Sequence, residues 1–459
     1  MKRAVFSASL SGLLLLSGCA LIQPTRPAPF ATAPPLVASR ASAPGPRAAL
    51  PDAPLKLEQA LAIALSNNPD LLGAGWDVEA ARALARQASA GHWPSLEVQA
   101  SYRHHWHEER LVPARGQPST GSFSHDIFSG DVILRIPILA GGSVTSAVAA
   151  SELLARAAEK RLARTREELV FDVKSAFYAI LGQQALIQAS EHSRKALVEH
   201  LCRTEQLIEA RKAARVDRLN IEVRLAEIDH RLVEQRGALE LHQRLLSSLL
   251  GIQDAQRDLA LEGSLSPAPS PPDRDELLAA ALEARADIAE LKLEIEAQAR
   301  RVDVIRAEYW PVVSAKGTYG PRLSAQGDYD DLGFAGIELS MPLFSGFSTP
   351  ARIDEEHAKL RSLQAREQKL VLAVRRELDS ALIRFETARA ALAATEKSIA
   401  MAEESLRIAR EKAALGHGTA MDVLDAQAAL LQAETRYSAA LADLHTTHAL
   451  LELAAGGRS

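Results

Sequence analysis

Three kinds of side chain in this sequence could carry chemistry: a cysteine near the start, a knot of histidines and a few aspartates beside turns. Cys19 closes the run Leu16-Ser17-Gly18-Cys19, behind a basic Lys2-Arg3 and an apolar segment holding Leu13–Leu16. This resembles a bacterial lipobox, whose Cys is acylated on sulfur and becomes the mature N-terminus; the alternative is an ordinary secretory signal with a chance Cys. The apolar segment is too short to span a membrane. Ala20 is not the Asp that retains many such lipoproteins at the inner membrane, so an outer-membrane address follows by that resemblance. His104, His105 and His107 in "YRHHWHEER" could bind copper or zinc. Neighbours on a strand point to opposite faces, so His104 and His105 diverge, and a polar loop is the default reading. "HEERL" lacks the second His of a zinc-protease motif. Cys202 lies in a helical run and reads as a packing residue. No nucleophile–base pair, metal-ligand spacing or phosphate loop stands in a fitting context, so neither an enzyme nor a cofactor is expected.

The background to these residues is a chain of 459 residues with a formal net charge of -5, which gives no reason to expect nucleic acid as a partner. Aromatics make up only 4%, while Ala, Leu, Glu, Arg and Gln abound, which favours long helices. Residues 1–18 read as a signal peptide and 19–54 as a Pro/Ala-rich tether without hydrophobic period.

The remainder is written twice. Leu61 meets Leu278, Asp70 meets Asp287, Trp93-Pro94 meets Trp310-Pro311 and Tyr102 meets Tyr319, all at an offset of 217. From Pro137 the offset is 205, and Asp217 and Leu219 meet Asp422 and Leu424. The offset falls by 12 between Tyr102 and Val132, so the first half carries the longer loop there. This is a domain-scale duplication rather than a solenoid repeat. The first repeat is expected over 55–250, a Pro-rich linker over 251–273, the second repeat over 274–455 and a tail over 456–459.

Each repeat opens with a helical segment, near 57–92 and 274–309. Asn68-Pro69 breaks the first, and Trp-Pro ends both. Period-two alternation follows: Leu96, Val98, Ala100 and Tyr102 against Glu97, Gln99, Ser101 and Arg103, then Val313, Ala315, Gly317 and Tyr319 against Ser314, Lys316 and Thr318. It predicts strands near 95–106, 130–137, 312–320 and 332–342. Such faces fit a soluble sheet or a membrane barrel equally well. The phrases "RIPILAGGS" and "SMPLFSGFS" close the strand pairs. Pro137 and Pro342 are expected to end the strands by withdrawing a ladder donor, and Gly141 and Gly346 to free the turn into the next helix.

Two long helices are then predicted, near 142–211 and 347–415. The second holds a 3.5-residue seam through Val374, Leu378, Ala381, Phe385, Ala388 and Leu392, which means supercoiled packing on other helices. Shorter helices return over 218–250 and 421–455. Four strands are too few to close a barrel, and an open edge in lipid leaves backbone groups unsatisfied. If the sheet lies in a membrane, several chains must share it. Glu97, Arg103, Arg135, Lys316 and Glu338 would then line a wet lumen.

A lipobox, a doubled helix–strand–strand–helix plan, two P-[IL]-x-x-G junctions and two helical turns together resemble the TolC family of outer-membrane efflux proteins, over essentially all of 55–455. The most specific stretch, Leu415 to Gln427, is similar to that family's G-x-x-[ST]-x-x-D-V-L-D-A turn. The resemblance implies an α+β, mainly α membrane protein. It would be a homotrimer whose twelve strands form one outer-membrane β-barrel in outer-membrane lipid and whose helices form a periplasmic α-barrel tunnel. Its partners would be a periplasmic adaptor (membrane fusion protein) and an inner-membrane pump of RND or ABC type. By the same resemblance Asp422, Asp425 and Asp217 match acidic gate positions, where carboxylate rings would favour cations; helix N-capping is the alternative. The adaptor contact falls on Lys212, Ala213, Ala214 and Arg215 in the first turn and Gly416, His417, Gly418 and Thr419 in the second. Where some members have a Tyr–Arg latch, Ala413 and Gly418 stand here, so that latch is absent or built otherwise. Small-molecule efflux leads, with metal efflux and type I protein secretion as variants. A structural coiled-coil lipoprotein without a pore is the reading from another class, which the four matched strands oppose.

Overall fold

The computed structural model describes residues 54–113, 121–211, 214–252, 259–266, 273–415 and 417–457. The proposed signal peptide and Cys19, and the tether up to residue 53, lie outside these residues, as do Lys212, Ala213 and Gly416.

The first half opens with α1, Leu57–Asn67, and α2, Pro69–Ser89. Asn68 stands between them with extended backbone. Its side-chain oxygen accepts from the N–H groups of Asp70 and Leu71, and Pro69 needs no partner at the first helical position. A single 3-10 turn, Ala90–His92, leads to extended Trp93. β1, Ser95–Arg110, and β2, Phe123–Ala140, form a hairpin. Helix α3, Ser143–Glu209, and α4, Arg215–Leu249, complete the half. The second half has α5, Arg274–Ala284; α6, Ala286–Arg306; a 3-10 turn, Ala307–Tyr309; β3, Val312–Ser324; β4, Tyr329–Ser340; α7, Ser348–Ala414; and α8, Ala420–Ala454.

Both long helices have 67 residues, roughly 100 Å at 1.5 Å per residue. Such lengths need continuous side support. The helix α3 packs against α2, α4, α6 and α8, and α7 packs against α5, α6 and α8. The seam residues Val374, Leu378, Ala381, Phe385, Ala388 and Leu392 of α7 are all buried. Leu277, Leu378, Ala381, Leu451 and Ala454 share one cluster, and Phe385, Ala388, Leu441 and Leu444 the next. In the first half Phe177, Ile180 and Val173 of α3 meet Ala60, Ile63 and Leu246.

Two expectations need correction. Pro137 does not end β2: the strand runs to Ala140, and the ladder absorbs the missing donor as an irregularity between Pro137 and Leu139. Each strand also passes its expected outer end, β1 to Arg110 and β3 to Ser324. The mixed run of His, Glu and Arg at 104–110 hides strand periodicity; the ladder with β2 slips there, from His104 opposite Asp126 to Glu109 opposite Ser124.

Candidate functional site

The chain offers two places for function: the helix tips far from the sheet, and the sheet itself. At the first tip α3 ends and Arg211 takes a left-handed conformation. Ala214 precedes α4, and its N–H donates to Asp217 Oδ2 at 3.1 Å. At the second tip His417 N–H donates to Lys412 O at 2.9 Å. Thr419 and Asp422 cap each other: Thr419 N–H reaches Asp422 Oδ2 at 2.8 Å, and Asp422 N–H reaches Thr419 Oγ1 at 3.1 Å. The Thr419 N–H and hydroxyl, with Lys412 nearby, hold the Asp422 carboxyl below its ordinary range. Asp217 and Asp422 are therefore both helix-capping groups, and both are occupied within their own turns.

Asp425 is different. It sits in the second turn of α8 with its side chain 61% exposed, and no cap uses it. Arg224 of α4 reaches it at 3.5 Å and also meets Glu227 at 3.0 Å. The pair joins the two return helices, which share an apolar cluster of Ile221, Ile228, Leu424 and Leu431 just behind it. Nothing in the sequence singles out Arg224, because its use depends on the packing of two segments 201 residues apart. Gly418 is also explained: a Cβ there would lie 3.1 Å from Ala413 N and Lys412 Cβ. A bulky residue at 418 would shift the turn as well as change its surface.

The sheet has the order β1-β2-β3-β4, all antiparallel. Directly paired residues share a face. Leu96, Leu134, Gly317 and Ala335 form one row, and Val98, Val132, Tyr319 and Gly333 the next. Along this face Val98 and Ile337 are each 75% exposed. Tyr102 and Phe128 meet in a tilted pair at 4.9 Å near its far end, where Trp106 is also exposed, and Trp93 and Trp310 are exposed near the helix end. An outward apolar band between aromatic girdles is the signature of a strand set in a bilayer. The opposite face carries Arg135 directly against Lys316, with Arg322 held on Asp131 by two bonds of 2.9 and 3.1 Å. Glu97, Gln99, Arg103 and Glu338 share that face with Ile133 and Phe334. β1 and β4 each keep one unpaired edge.

The histidines separate as strand geometry requires. His104 Nδ1 lies 2.6 Å from Asp126, which also accepts from Tyr102. His125 Nδ1 approaches the carbonyl of His105 at 3.1 Å. Among the described residues no group of three or more His, Cys, Asp or Glu could hold a metal ion. Among them, too, no helix is long and apolar enough to cross a membrane.

Residues 60–252 and 277–457 match the sequence profile of the outer membrane efflux protein family. The chain belongs to that family. It is an outer-membrane exit duct for efflux, mainly helical with a few antiparallel strands, in the fold of TolC-like channels. The cobalt-zinc-cadmium resistance protein CzcC of Cupriavidus metallidurans is 24% identical over 84% of this chain and 86% of its own length. The alkaline protease secretion protein AprF of Pseudomonas aeruginosa is 24% identical over 86% of this chain and 83% of its own. Among solved structures, the CmeC outer membrane channel of Campylobacter jejuni superposes with a TM-score of 0.75 at 16% identity, covering 87% of this chain and 85% of that one.

Proposed function

We propose that three copies of this efflux protein, each an internally duplicated chain, close a twelve-stranded barrel in the outer membrane and a helical tunnel beneath it. The observation that carries this reading is the four-stranded sheet with an exposed apolar face and two unpaired edges. Lipid cannot satisfy such edges, so β4 of one copy must pair with β1 of the next. A barrel of about twelve strands is wide enough to leave room inside, and the face with Arg135, Lys316 and the Asp131–Arg322 pair would line it. Acylation of Cys19 would add a lipid anchor.

The helix tips then form the periplasmic gate. Asp425, Asp422 and Asp217 would supply the acidic charge of the gate; Asp217 and Asp422 also cap their helices, and Asp425 is paired with Arg224. The Arg224–Asp425 pair ties the return helices together and takes the place of the missing Tyr–Arg latch. Ala214, Arg215, His417, Gly418 and Thr419, with Lys212, Ala213 and Gly416, would meet an adaptor protein, which links the duct to an RND- or ABC-type pump. The pump supplies the energy and this chain conducts. Small molecules lead as cargo.

The test is single-channel conductance in a planar bilayer. The intact protein is expected to give a small, cation-selective conductance. Asp425→Ala and Arg224→Ala should each raise it, and Asp425→Ala should also weaken cation selectivity. No conductance from the intact protein or either variant, in correctly inserted samples, would sink the duct reading.

A further inference from the structure

The two strand-to-helix junctions occupy equivalent places and differ in the residue that follows the first glycine. In the first, Gly141 and Gly142 take left-handed backbone with φ of 59° and 85°. In the second, the equivalent positions are Gly346, φ 62°, and Phe347, φ 63°. A left-handed conformation is cheap for glycine and strained for an aromatic residue. Phe347 is also a poor residue to precede a helix, and its side chain caps nothing. The ring does not recover this cost by burial within the chain, for it is 75% exposed. It stands edge to face with Phe344 at 5.4 Å, itself equally exposed, beside Leu343 at 90%. The backbone around them is fixed: Ser345 Oγ meets Thr349 Oγ1 at 3.0 Å, and Ser348 N–H donates to Ser345 O at 3.2 Å.

This patch continues the apolar face of the sheet. Ile337, Leu339 and Met341 are exposed at every second residue of β4 and just beyond it, and Leu343 is the next in that series. No charged residue occurs between Glu338 and Arg352. Trp310, also exposed, marks the same end of the sheet on the neighbouring strand's approach.

We propose that Leu343, Phe344 and Phe347 form a wedge that enters the periplasmic leaflet of the outer membrane, so that the second junction grips lipid through aromatic rings where the first exposes only the aliphatic Ile138 and Leu139. Strain at Phe347 is retained because its ring is used outside the chain. The wedge fixes how deeply the duct sits, since aromatic groups settle at the boundary between acyl chains and headgroups. The proposal rests on the membrane reading of the sheet.

The experiment places a nitroxide label at Leu343→Cys, in the full chain carrying Cys202→Ser, reconstituted in phosphatidylethanolamine/phosphatidylglycerol vesicles. The signal of the Cys202→Ser protein without an added cysteine is subtracted. Collision with oxygen should exceed collision with a water-soluble nickel chelate at Leu343→Cys. A matched label at Val98→Cys, on the outward face of β1, reports whether the sheet is inserted. Lipid exposure at Val98 with water exposure at Leu343 overturns the wedge alone. Water exposure at both overturns the membrane reading and the wedge with it. Phe347→Gly supplies a second check and should melt in detergent at the same temperature or higher. A clearly lower melting temperature would mean that the ring serves the fold, and would remove the argument for a use outside it.

Discussion

The two halves of the chain agree closely in their helices and disagree in their hairpins. Helices of 11, 21, 67 and 35 residues occur in the same order in each half. The strands do not match: 16 and 18 residues in the first hairpin, 13 and 12 in the second. The difference follows from what each element touches. A helix in the body packs along its whole length on others, so a changed length would expose one seam or break another. A hairpin is fixed only at its helix end and can lengthen outwards. Even where the halves agree in geometry, they reach it with different side chains. The break between the first two helices is set by Asn68 in one half and by Arg285 in the other, at equivalent positions. Each reaches the end of its own return helix: Asn68 Nδ2 donates to Leu249 O at 3.0 Å, and Arg285 Nη1 to Ala454 O at 3.4 Å.

Substitution at these paired positions sharpens the comparison. Arg285 is buried and bonded to Asp287 at 2.7 Å and Glu377 at 2.9 Å. Arg285→Ala strands those carboxylates and should cost about 3 kcal/mol, against about 1 kcal/mol for the neutral Asn68→Ala. Chemical denaturation of the two variants in detergent checks the ratio; equal losses would mean that the two breaks carry the same stability. Next come the junction glycines. A Cβ at Gly141 would stand 2.8 Å from Ala307 O and from Trp310 Cβ, whereas at Gly346 it would meet nothing within 4 Å. Gly141→Ala therefore adds a clash to the left-handed strain and should cost about 2–3 kcal/mol, while Gly346→Ala should cost about 1 kcal/mol. Melting temperatures in detergent give the order.

Acid should separate the same two breaks. Burial opposes the charge on Asp287, but Arg285, bonded to it, outweighs burial and holds its carboxyl below the ordinary value. A depressed carboxylate contributes stability above its unfolded value and loses it as pH falls through the folded one. The second break should therefore weaken in acid and the first, held by Asn68, should not. Asp287→Asn should flatten the acid limb of the melting profile. The smallest effect is expected at the turns. Thr419 caps α8 with its hydroxyl, and its counterpart Ala214 has none to offer α4. Ala214→Ser should gain about 0.5–1 kcal/mol and Thr419→Ala should lose about 1 kcal/mol, read from melting of the helical signal.

Much of the helical body is legible in the sequence because periodicity there is dictated by burial. Asn68-Pro69 announces its break, since proline cannot continue the preceding helix. Arg285 announces nothing: its neighbours are ordinary helix formers, and the kink is held by its buried guanidinium, through the ion pairs with Asp287 and Glu377 and the bond to Ala454 O. Pro137 misleads for the opposite reason, because a proline rule based on local donors is overridden by pairing with β3. At the tips, the aspartates are visible as a group, but their division into two helix caps and one ion-pair partner is not. That division depends on whether a backbone N–H lies three residues upstream, which spacing suggests, and on Arg224 arriving from another helix, which it does not.

The equal length of the two long helices has a further consequence. Together they act as a matched pair of struts, both starting at the sheet and both ending at a turn, so the level of the tips is set by residue count alone. Removing seven residues from α3 only would raise its turn by roughly 10 Å and tilt the rim that the six tips of a trimer would form. Removing seven from both would shorten the duct and leave the rim flat. The body of this protein can change reach only in step, and its two long helices are bound to lengthen or shorten together.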